Sequence, residues 1–87
     1  MFLLSSTYDD LQFENYSFAE VLGVFSTFDK ANVALKTILN ELGWDEKTGK
    51  EEKHGDLYAI TFERSTEVSC YSIQKIESDV ILHDLQL

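Results

Sequence analysis

The sequence predicts an α+β fold, an antiparallel β-sheet of four to five strands with one amphipathic helix packed on a face. The predicted order is β-β-α-β-β, with a possible fifth strand at the end. Three observations lead there. Glu20–Ala31 reads as a buried strand that runs, without a long loop, into a helix. Phe28, Ala31, Ala34, Leu35, Ile38, Leu39 and Leu42 recur at three- and four-residue steps, which makes one apolar stripe. Leu57–Glu63 and Val68–Ile76 are strand-like segments flanking a turn at Arg64-Ser65-Thr66, the pattern of a hairpin. No second stripe is present, so a ferredoxin-like arrangement with two crossover helices is not expected.

Met1–Thr7 is the first predicted strand, with Phe2-Leu3-Leu4 as its apolar part. Tyr8–Ser17 is polar with interleaved aromatics and reads as a loop or a long hairpin tip. In residues 20–26, Val21, Gly23 and Phe25 share one face while Leu22 and Val24 share the other. Apolar residues on both faces suggest a central strand, or one covered on each side. Gly23 signals a bulge or the close approach of another backbone. Ser26 or Thr27 is the helix N-cap, and Asp29 in the first turn suits the positive end of the helix dipole. Gly43 ends the helix, and Trp44 is placed to fold back on its last turn. Asp45–Asp56 reads as a charged loop. In Val68–Ile76 the alternation breaks, which points to a bulge or to burial of both faces. For Val80–Leu87 a short strand and a helical turn fit equally well.

The chain of 87 residues forms one domain, residues 1–87, and buries roughly 60–65% of its unfolded surface. Its 44% hydrophobic and 13% aromatic content supply a core. With 16 acids against 7 bases the net charge is −9, and residues 1–29 hold Asp9, Asp10, Glu14, Glu20 and Asp29 with no Lys or Arg. Direct binding to nucleic acid or to an anionic membrane needs clustered cations, so neither is expected. A basic protein partner is compatible with this charge. A lone Cys70 permits no internal disulfide, and no signal-peptide pattern or membrane-spanning run is seen, so a cytoplasmic location is expected.

The segment Leu22-Gly23-Val24-Phe25-Ser26-Thr27, followed by Ala31, resembles one found in many small uncharacterised bacterial and phage proteins. In those proteins an N-terminal hairpin precedes a helix and a late strand like Cys70–Glu77. The resemblance implies a phage or mobile-element type of protein and implies no active site.

No pattern marks catalysis. Cys70 has no base assigned by sequence and reads as a packing thiol. His54 with Asp56 and His83 with Asp84 lack metal-ligand spacing, and the four glycines never cluster into a phosphate cradle, so no cofactor or metal is expected. Asp9-Asp10, Asp45-Glu46 and Glu51-Glu52 read as hydrated surface. The candidate interface is Tyr8, Asp9, Asp10, Phe13, Glu14, Tyr16 and Phe18, because aromatics in a polar stretch suit protein contacts. A lid over the core edge is the competing reading of the same aromatics.

The expected role is a non-catalytic interaction or accessory module. Its first alternative is an acidic nucleic-acid mimic that blocks a basic surface. The second is a small-molecule binder or enzyme with a pocket between subunits. A homodimer is expected, since strands 20–26 and 57–63 carry apolar residues on both faces and one helix covers only one.

Overall fold

The computed structural model describes residues 1–10 and 16–76. The strands are β1 (Phe2–Asp10), β2 (Tyr16–Phe25), β3 (Lys50–His54), β4 (Leu57–Arg64) and β5 (Glu67–Lys75), and the helix α1 is Phe28–Leu42. They form one antiparallel sheet in the order β2-β1-β5-β4-β3. The α+β class, the helix packed on the sheet and the β4–β5 hairpin agree with the sequence reading, and Val80–Leu87 lies outside the described residues. The turn between those strands falls at Ser65-Thr66, with Ser65 at φ 56°.

Helix α1 starts and stops where its end signals stand. Thr27 is the N-cap, and its Oγ1 accepts from the Lys30 N–H at 3.2 Å. Gly43 takes the left-handed conformation, φ 80°, and its N–H reaches the Asn40 carbonyl. The Trp44 N–H donates to the Leu39 carbonyl at 2.9 Å, completing a Schellman motif. The helix packs over β1, β2 and β5. Ala31, Leu35 and Leu39 are buried with Leu4, Ile60, Phe62, Tyr71 and Ile73. Ile38 is only half-buried, and Leu42, expected on the core stripe, is exposed. Both sit on the side of the helix over the edge strand β2, where the sheet offers less surface to pack against.

Three other expectations are corrected. The stretch Tyr8–Ser17 is not all loop. β1 continues to Asp10 and β2 begins at Tyr16, because Tyr8 faces Phe18 across the hairpin and the aromatic pair extends the ladder. The charged loop 45–56 contains a 3-10 turn, Glu46–Thr48, and the edge strand β3. β3 has no apolar residue, yet it borrows its hydrogen-bonding pattern from β4. Finally, β2 is an edge strand and not a central one. The register slips between Leu4 and Ser5, which leaves Leu22 as the extra residue of a bulge beside Gly23. That bulge lets Leu22 join the partly buried residues around the core, although Gly23 and Phe25 share the helix-facing side.

Gly49 is needed for close approach. A Cβ there would lie 2.6 Å from Ile60 Cγ1 and 2.8 Å from Phe62 Cε1. The backbone entering β3 therefore lies directly on the core. Trp44 stacks on Phe62 with centroids 4.8 Å apart, and the Arg64 guanidinium covers the outer ring at 4.5 Å.

Candidate interaction surface

Strand alternation sorts the sheet into two faces. Phe2, Leu4, Tyr58, Ile60, Phe62, Tyr71 and Ile73 point toward the helix. The opposite face carries Leu3, Ser5, Val21, Val24, Leu57, Ala59, Thr61, Cys70 and Ser72, and no described helix lies over it. Its centre is small and polar: the Ser5 and Ser72 hydroxyls share a hydrogen bond of 2.9 Å. Cys70 belongs to this face and is half-buried, where the sequence reading had a buried thiol.

Among the described residues the exposed large apolar side chains are Met1, Phe18, Val21, Val24, Val33 and Leu42. Half of them stand on β2, with Phe18 51%, Val21 42% and Val24 41% exposed. Phe18 points to the helix side and the two valines to the other. Phe18 also lines a groove of about 240 Å³ with Tyr8, Leu22, Ile38, Leu42 and Tyr71. Exposed apolar surface therefore gathers along one sheet edge and on both of its sides.

The structure brings only part of the predicted interface together. Tyr8 and Phe18 are cross-strand partners, and Asp9 lies opposite Ser17 with its side chain on the other face. Asp10 ends β1 and its Oδ1 accepts from Thr66 Oγ1 at 3.3 Å, which ties the hairpin end to the β4–β5 turn. Tyr16 opens β2, and Phe13 and Glu14 lie outside the described residues. Val21, Val24 and Leu42 were not among the predicted interface residues. The two-sided apolar pattern of residues 20–26 is the signal for the valines, and it points both to a covered strand and to a self-contact, without naming the residues of that contact.

A second cleft, about 180 Å³, opens between α1 and the β3–β4 hairpin, lined by Asn32, Lys36, Glu46, Glu51, Lys53 and Tyr58 among others. Ligand pockets commonly span about 300–1,000 Å³, so this one is small, and its charges alternate in sign. Tyr58 puts its hydroxyl in this cleft. Partial burial pushes the hydroxyl above its ordinary 10.0, and the charges of Glu51 and Glu46 and a hydrogen bond to Glu51 add to the rise. A phenol that holds its proton longer when folded contributes stability below pH about 10, and that contribution is lost as pH climbs through the folded value. Ultraviolet titration should show a late-ionising component that is lost in Tyr58→Phe and moves to lower pH in Glu51→Gln. Tyr58 ionising at or below the ordinary value would contradict this.

His54 lies 3.5 Å from Glu52, both on exposed β3, where an ion pair contributes little. Among the described residues no three His, Cys, Asp or Glu side chains converge on a metal-sized site, and His83 and Asp84 lie outside them. No described helix is long and apolar enough to cross a membrane. No family model matches the chain, and no curated protein or solved structure matches it significantly.

Proposed function

We propose that this chain is a non-catalytic protein–protein interaction module that associates with itself. The observation that carries this reading is the concentration of exposed apolar side chains on β2, with Phe18 on one side and Val21 and Val24 on the other. Exposed apolar side chains gathered along one edge strand suit a contact made through that edge. The cleft at Tyr58 is small and mixed in charge, which favours contact over catalysis. The phage or mobile-element assignment and a basic partner remain part of the same proposal.

Mimicry of nucleic acid receives less support. On β3 the acids Glu51 and Glu52 alternate with Lys50 and Lys53, and on the helix Asp29 adjoins Lys30. Such interleaving does not build a ridge of one sign. The same scatter of cations gives phosphate contacts no cluster to work from.

Sedimentation equilibrium over micromolar concentrations tests the proposal. The expected result is a mass rising with concentration toward twice 10.0 kDa. A 10.0 kDa species at every concentration would overturn self-association.

A further inference from the structure

We infer that the two copies join edge to edge, β2 against β2, so that one antiparallel sheet runs through both. This rests on the self-association proposed above and specifies the surface that performs it.

The two edges of the sheet are built differently. β3 is five residues long, and every one of them, Lys50, Glu51, Glu52, Lys53 and His54, is charged or titratable and exposed. Short, charged edges deter pairing with another chain. β2 is ten residues long, has no proline or lysine, and carries Glu20 as its sole charge. Among the described residues no strand lies beside its outer row of backbone N–H and C=O groups. The fold guards one edge and leaves the longer, apolar one ready to pair.

The positions of the exposed side chains favour a second copy over a lone extended peptide. Antiparallel pairing about a two-fold axis normal to the sheet places both helices on the same side. Residues of like facing then meet. With the axis at Phe18, that ring, with Leu42 above it, approaches its own symmetry mate on the helix side. A single strand would complete the backbone ladder but has no second layer to cover Leu42.

Charge and backbone shape narrow the register. The bulge at Leu22 breaks the period of β2, so the regular half before it forms the ladder. Centring the axis near Phe18 or Ala19 keeps Glu20 from facing Glu20, since like charges directly opposite destabilise a sheet. The acids of the far edge do not interfere. β1, β5 and β4 separate β3 from β2, about 19 Å at strand spacing, well beyond a Debye length of ~8 Å.

Cysteine scanning in a Cys70→Ser background tests the arrangement. Residues near a two-fold axis on paired strands sit about 4.5–5.5 Å apart at Cα, within disulfide range. Phe18→Cys or Ala19→Cys should give a covalent dimer on mild oxidation, whereas Ala59→Cys on the open face and Val33→Cys on the helix should not. All four positions are at least partly exposed, and the wild-type mass is measured alongside. Diluting the unlinked protein to monomer should also speed exchange of the outward β2 amides. A wild-type dimer that cross-links at neither 18 nor 19 overturns edge pairing and leaves self-association standing. Cross-linking at 59 would then place the contact on the open face. Outward β2 amides that stay protected in a 10.0 kDa species overturn it too, because the edge is then occupied within one chain. A wild-type chain that never exceeds 10.0 kDa removes the wider reading as well.

Discussion

Phe62→Ala is expected to lower stability by about 3–5 kcal/mol, the range for removing a large buried aromatic. Phe62 is 1% exposed and is held on several sides. Trp44 stacks on it, Tyr71 meets it edge-on at 6.2 Å, and the backbone at Gly49 closes over it. Truncation opens a cavity that these neighbours cannot all fill. It also leaves Trp44 without the inner half of its stack, so the loop from Gly43 to Gly49 loses its anchor. Small domains have only about 5–15 kcal/mol in total, so the variant should be largely unfolded near its shifted melting point. Urea denaturation followed by Trp44 fluorescence gives the number. A loss below about 1 kcal/mol would mean that this ring does not bear on the core.

Leu35→Ala should cost about 2–5 kcal/mol, whereas Val33→Ala should stay within about 0.5. Both residues lie in the middle of α1, so helix propensity alone cannot separate them that far. Leu35 is 1% exposed against the sheet, and Val33 is 65% exposed. Ile38, which the sequence places with Leu35, should fall between them because it is half-buried at the open β2 side. Equal costs at 33 and 35 would mean the helix is rotated or detached from the sheet. Chemical denaturation of the three variants under one condition settles the order.

These contrasts show which parts of the fold could be read from sequence. Helix α1 was legible at its end to Gly43 and at its start to within Ser26 or Thr27, since capping residues act locally and the stripe repeats over several turns. The β4–β5 hairpin was legible because its turn is short and its strands are apolar on the helix-facing side. β3 was not: Lys50-Glu51-Glu52-Lys53-His54 shows no hydrophobic alternation, and only the neighbouring β4 makes it a strand. β2 misled for the opposite reason. Apolar residues on both of its sides suggest cover on both, yet strand order depends on distant pairings that local pattern does not encode. The candidate surface was half legible for the same cause. Tyr8 and Phe18 stood out as aromatics among polar residues, while Val21, Val24 and Leu42 became surface only through the position of β2 at the edge.

The seam between β1 and β5 bears on how the chain reaches this structure. Ser5 and Ser72, whose hydroxyls bond across it, are 67 positions apart. Among the described strands every other pairing joins neighbours in the chain: β1 with β2, β3 with β4, β4 with β5. Two hairpin-built halves can thus form from nearby residues, and the sheet closes only when they meet. Bringing such remote segments together has a loop-closure entropy that local contacts do not offset beforehand, and folding slows as the separation of contacting residues grows. The rate of folding is therefore governed by the docking of the β1–β2 half onto the β3–β4–β5 half. Until they dock, both strands of the future seam are open edges, and this interval is when the chain is most exposed to aggregation.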